Sequence, residues 1–159
     1  MNLKKVIEFC EDEVERQGFR RYSIDWARRV YYMLAGWGFA WSVQHRNPTL
    51  YDIKLLGHLV EPDANPTSDI RHAGVCVRRR DGSVHYFVPA SDVERMLEEL
   101  LQDWERGVIS DPDVFYKAFE EIHPYNDGNG RVGKILHNWV RGSLGEPVLV
   151  EDFFGGGVP

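Results

Sequence analysis

Apolar residues recur at intervals of three and four in six stretches of this chain, and alternate in only one. That pattern restricts the fold most, because a helical stripe and a strand face follow different periods. The stripes begin at Leu3, Ile24, Leu50, Val93, Val114 and Val132. The last of them, for example, carries Val132, Ile135, Leu136, Trp139 and Val140. Start and stop residues bracket the stripes. Ser23 and Thr49 suit N-caps, Ser91 with Glu94 reads as a capping box, and Asp111-Pro112 as a cap followed by a first-turn proline. Gly18, and Gly142 or Gly145, suit helix ends. The alternating stretch is GVCVRRRDGSVHYFVP. It sets Val75 and Val77 on one arm and Val84, Tyr86 and Val88 on the other, around the hairpin turn Asp81-Gly82. The expected class is all-α with one β-hairpin, which must lean on the helices or on a ligand because an isolated hairpin is marginal in water.

A length of 159 residues favours one domain with a real core. The net charge of −6 argues against sequence-independent nucleic-acid binding. The two cysteines, Cys10 and Cys76, are too few for a disulfide framework and fit free thiols in a reducing cytosol. The N-terminal stretch turns acidic where a signal peptide would be apolar. The longest uncharged run, residues 30 to 43, is too short for a membrane span. The expectation is a soluble, cytoplasmic protein with no membrane partner. The aromatic group Trp26, Tyr31, Tyr32, Trp37, Phe39 and Trp41 reads as core packing or as a partner surface.

Between the last two stripes lies HPYNDGNGRVGK, residues 123–134. A helix N-terminus offers unpaired N–H groups and a partial positive charge, and Gly128 and Gly130 let anions come close to that backbone. Arg131 and Lys134, three apart, add cations to one helix face. Asp127, an acid in an anion-seeking loop, makes sense as a ligand for Mg²⁺ that bridges carboxylate and phosphates. His123 titrates near neutrality and can take a proton from an attacking hydroxyl. The stretch thus reads as a site for a nucleoside triphosphate. Two other readings stand beside it. Gly128 to Lys134 fits most of a P-loop, but Ile135 stands where Ser or Thr is needed and no strand precedes. The plain alternative is a glycine-rich turn between helices.

HPYNDGNGRVGK resembles the Fic family motif, HPFx(D/E)GNGRxxR, at His123, Pro124, Asp127, Gly128, Asn129, Gly130 and Arg131. The upstream hairpin occupies the place of the family's "flap". The resemblance implies a Fic-type helical bundle over residues 45–155, with residues 1–44 as an added helical part and 156–159 as a flexible tail. It implies transfer of AMP from ATP to a Ser, Thr or Tyr hydroxyl of a target protein. In that scheme His123 is the general base and Asp127 holds Mg²⁺. Gly128, Asn129 and Gly130 line the anion hole, and Arg131 grips the β-phosphate. Lys134 meets the γ-phosphate, Asn138 is a further nucleotide contact, and the flap residues Val75, Val77, Val84 and Tyr86 pin the target. Tyr125 and Lys134 depart from the pattern's Phe and final Arg, and Lys lacks the bidentate fork. The Doc branch, which reverses the nucleotide and transfers phosphate, has Ala and Lys where this chain has Gly128 and Gly130. The alternatives are therefore a Doc-like phosphotransferase or other nucleotidyl transfer, and a non-catalytic module of the same fold. The family's inhibitory sequence (S/T)xxxE(G/N) does not occur in this chain. Control then falls to a separate antitoxin-like partner, to a divergent helix, or to neither. Such proteins act in the cytoplasm or after delivery into another cell. Arg71 is expected to brace the loop. Arg78, Arg79 and Arg80 read as a solvated edge or as a dock for an acidic target segment or the nucleotide, and His85 and His137 as structural or exposed residues or, in the alternative, as ligands at the site.

Overall fold

A computed structural model of the chain describes residues 1–78 and 81–153. Arg79, Arg80 and the tail 156–159 lie outside the described residues. In chain order the elements are α1 (Leu3–Arg16), α2 (Ile24–Val43), α3 (Leu50–Val60), β1 (Cys76–Arg78), β2 (Val84–Tyr86), α4 (Ala90–Glu105), α5 (Pro112–Ile122) and α6 (Asn129–Arg141). The fold is all-helical apart from one antiparallel hairpin.

The caps explain most of the helix starts. The Ser23 hydroxyl accepts from Trp26 N at 3.1 Å, and Asp111 accepts from Asp113 N at 2.8 Å. Thr49 and Asp52 form a reciprocal capping box. The expected box at Ser91 and Glu94 does not form. Helix α4 starts earlier, at Ala90, because Pro89 holds a helix-compatible φ of −54° and acts as the N-cap. The Glu94 carboxylate instead accepts from Lys54 on α3 at 3.1 Å.

Helix α6 is the buried axis of the bundle. Every residue from Arg131 to Trp139 is buried, and the helix packs against α5, α2 and α3. Helix α1 packs on α2, and α4 on α5. One hydrophobic cluster runs through all of them, from Val6 and Cys10 of α1 to Trp139 of α6. Most of the aromatic group joins it, with Trp37 donating to the Leu144 carbonyl at 3.0 Å, but Tyr31 stays exposed. No helix among the described residues is long and apolar enough to cross a membrane.

The hairpin pairs Cys76 with Tyr86, Val77 with His85 and Arg78 with Val84. Directly paired residues share a face. Val75, Val77, His85 and Phe87 therefore turn toward the helices, while Val84 and Tyr86 turn outward. Arg71 fastens the hairpin to the end of α5. Its backbone N–H donates to Pro124 O at 2.8 Å, and its guanidinium donates to the carbonyls of His123 (2.7 Å), Val88 (2.6 Å) and Ala73 (2.9 Å). Arg71 braces the loop, as its position suggested.

Tyr125, fully buried beneath the loop, donates its hydroxyl to Ile53 O at 2.5 Å. Its ring packs against Gly57 of α3, where a Cβ would come within 2.4 Å of a ring atom. Replacing Gly57 with Ala overpacks this contact and should destabilise the protein by about 1–3 kcal/mol. Urea denaturation would register this as a lower midpoint at unchanged slope.

Candidate functional site

Helix α5 stops because His123 adopts a left-handed conformation (φ 51°) at its C-cap. The chain then turns back through four residues to the N-cap of α6, Gly128, whose φ of 86° suits glycine. Side-chain amides hold this turn. Asn129 accepts from Tyr125 N and donates to Tyr125 O, both at 2.9 Å. From the far side, Asn65 donates to Asp127 O at 2.9 Å and accepts from Asn126 N at 3.2 Å. Gly128 offers no side-chain cap, so the first N–H groups of α6 open into a cavity of about 200 Å³. The cavity is lined by His123, Asp127, Gly128, Asn129 and Gly130, and also by Arg16, Gln17, Glu120, Asp152 and Phe153.

The His123 ring stacks on Phe87 of the hairpin, centroid to centroid 3.8 Å and tilted only 12°. Burial pushes its pKa down to about 4, against a weaker upward pull from the Glu120 carbonyl. The imidazole is therefore neutral at pH 7. Its Nδ1 lies 3.3 Å from Glu120 O, which sets the proton on Nδ1 and the lone pair on Nε2. Asp127 stays half-exposed at the mouth, its Oδ1 accepting from Gly128 N at 2.6 Å.

Arg131 and Lys134 are both sealed from solvent. Arg131 donates to the Glu61 carboxylate at 2.7 Å and to Val60 O at 3.2 Å. Lys134 donates to Glu13 of α1 at 2.7 Å and is also bonded to Asp152. Asn138 lies a turn further along and does not line the cavity. It grips the segment after α6, donating to Val148 O at 3.1 Å and accepting from Val148 N at 2.8 Å. The structure thus brings together His123, Asp127 and Gly128–Gly130, places Arg131 and Lys134 behind them in ion pairs, and sets Asn138 apart. His137 pairs with Asp113 at 2.7 Å, away from the cavity.

Sequence reasoning missed several contributors. Phe87 is hidden in the sequence because Val84 and Tyr86 alternate in the opposite phase of the same arm. Glu13, Arg16 and Asp152 lie far from the motif in sequence, so no local spacing flags them. Glu120 is buried with its Oε1 unpartnered by any hydrogen bond among the described residues. Desolvation pushes its pKa up to about 8, so it is held mostly protonated at neutral pH.

A metal fits this donor set in one way only. No group of three metal-ligating side chains occurs among the described residues. Asp127, half-exposed beside the N-terminus of α6, could hold Mg²⁺, which is commonly held by one or two carboxylates together with substrate phosphates.

A sequence model of the Fic/DOC family matches residues 50–140. A curated relative, a probable protein adenylyltransferase of Aquifex aeolicus (strain VF5), is 52% identical over 33 residues, covering 21% of this chain and 10% of the relative. Among solved structures, a Fic domain containing signaling protein from Bacteroides thetaiotaomicron aligns over 94% of this chain and 66% of its own, with TM-score 0.77 and 17% identity. A Fic family protein from Desulfovibrio desulfuricans G20 aligns over 88% of this chain and 48% of its own, with TM-score 0.73 and 21% identity. C. elegans Fic-1 aligns over 85% and 42%, with TM-score 0.60 and 22% identity. These identities speak for the fold alone, and the chain spans less than two thirds of each of these relatives.

The burial of His123 has a thermodynamic consequence. A histidine held at about 4 in the fold and near 6.5 when unfolded contributes stability that is complete above pH 6.5 and lost as pH falls through 4. Phe87→Ala uncovers the ring. NMR titration should then show the His123 midpoint rising toward 6.5, and an unmoved midpoint would mean that Phe87 does not set the burial.

Proposed function

The chain belongs to the Fic/DOC family, and on that premise we propose that it is a protein adenylyltransferase, moving AMP from ATP to a Ser, Thr or Tyr hydroxyl of a target protein with Mg²⁺. One observation carries the reading: a neutral His123 lines the same cavity as the N-terminus of α6. The target hydroxyl oxygen attacks the α-phosphorus. Its proton passes to Nε2 of His123, the bond from the α-phosphorus to the bridging oxygen breaks, and pyrophosphate leaves. The backbone N–H groups of Asn129 and Gly130, at the start of α6, stabilise charge on the transferred phosphoryl group. Asp127 would hold Mg²⁺, which offsets phosphate charge when bound. The hairpin edge offers strand-like pairing to the target segment, with Val84 and Tyr86 outward.

Control of the site is read in α1. Glu13 occupies Lys134, which stands at the motif's final cation. This favours the divergent-helix option among the three modes of control, with α1 as a lock in cis. Glu13→Gln removes a carboxylate from the phosphate side and should raise ATP affinity by about tenfold, measured by titration calorimetry.

Intact-mass spectrometry after incubation with Mg²⁺ and ATP tests the main reading. An adenylyl adduct on the Glu13→Gln protein, absent from Glu13→Gln/His123→Ala, is the expected outcome. A phosphoryl adduct would replace AMP transfer with phosphate transfer, and ATP binding without any adduct, even with candidate target proteins present, would count against catalysis.

A further inference from the structure

The cavity has a charge problem. Its two motif cations are both sealed, Arg131 by Glu61 and Lys134 by Glu13 and Asp152. The other acidic groups on its wall add no positive charge: Asp152 is already paired with Lys134, Asp127 lies 3.7 Å from Arg131, and Glu120 is held mostly protonated. A polyphosphate entering this space needs a cation that still has donors to give. We propose that Arg16, on the last turn of α1, is that cation and binds the terminal phosphates of the nucleotide. The inference rests on reading the cavity as a polyphosphate site, and it assigns a binding role to a residue outside the motif.

Three observations support Arg16. It lines the same cavity as Gly128–Gly130 and keeps a third of its side chain exposed, whereas Arg131 and Lys134 keep none. Its Nε is anchored to Asp12 O at 3.4 Å, which leaves the terminal nitrogens to point elsewhere. One of these lies 3.2 Å from Glu13 Oε2, yet that oxygen has no hydrogen-bond partner among the described residues. The contact is an ion pair without hydrogen-bond geometry, so the terminal N–H groups are not committed to Glu13. Next to it, Gln17 donates to Glu13 Oε1 at 2.9 Å and sits 3.4 Å from where a Cβ on Gly130 would lie. The end of α1 therefore reaches the first turn of α6 through the Gln17 side chain. An anion on the α6 backbone would be faced by the Arg16 fork, which suits phosphate oxygens in a bidentate way. A guanidinium in the last helical turn also suits the α1 dipole, but that role requires only charge and no access to the cavity.

The test is calorimetric titration of the full chain with inorganic pyrophosphate, and separately with AMP, both with Mg²⁺, in wild type and Arg16→Gln. The expected result is pyrophosphate binding by the wild type, weakened by about tenfold or more in Arg16→Gln, with AMP affinity unchanged. Equal or tighter pyrophosphate binding by Arg16→Gln overturns the inference, as does a wild type that does not bind pyrophosphate. A parallel loss of AMP affinity also overturns it, since that marks a structural rather than a phosphate-binding role. The adenylyl-transfer reading fails separately: Arg16-dependent pyrophosphate binding beside a protein that never forms an adenylyl adduct would sustain the phosphate site and remove the AMP chemistry.

Discussion

Two cations on α6 lie in the interior, and each must meet a carboxylate from elsewhere in the chain. Arg131 finds Glu61 at the end of α3, which also receives Arg29 from α2, and Lys134 finds Glu13 on α1. A buried ion pair gains little against a hydrophobic pair of the same shape, but losing one partner costs about 3–5 kcal/mol. The pairs therefore act as register pins. They fix how far along α6 the helices α1, α2 and α3 can sit, and so they fix the walls of the cavity.

A second constraint acts from the other side. Arg71 gathers carbonyls from the end of α5 and from the base of the hairpin into one guanidinium. The same fastening brings Phe87 over the His123 ring. The cover on the ring thus comes from the docking of the hairpin on the end of α5, while its tautomer is set within α5 by the Glu120 carbonyl.

Much of this was legible in the sequence because it is local. The stripes gave the helices, Ser23, Thr49 and Asp111 gave their starts, and HPYNDGNGRVGK announced an anion-seeking turn. The failures have physical causes. The second hairpin arm carries apolar residues in both phases, Val84 and Tyr86 in one and Phe87 in the other, and only docking against α5 selects between them. Arg131 and Lys134, three apart after a glycine turn, look like a cationic surface. They are interior because Glu61 and Glu13, 70 and 121 residues away, neutralise them. The Ser91 box lost to Pro89, where backbone geometry alone was enough to begin α4.

The span between Glu13 and Lys134 bears on the order of assembly. Contacts this distant in sequence carry a high loop-closure cost and tend to form late. While the chain is being made, α1 exists long before its partner on α6, and its acidic turn waits in water. Helices α5 and α6, neighbours in sequence, can pair early and present the glycine turn before α1 arrives. The α1 side of the cavity, Arg16 and Gln17, is then the last part of the site to be built and, in the folded protein, a natural unit for local opening. Amide exchange in the last turn of α1 would report that opening separately from the unfolding of the core.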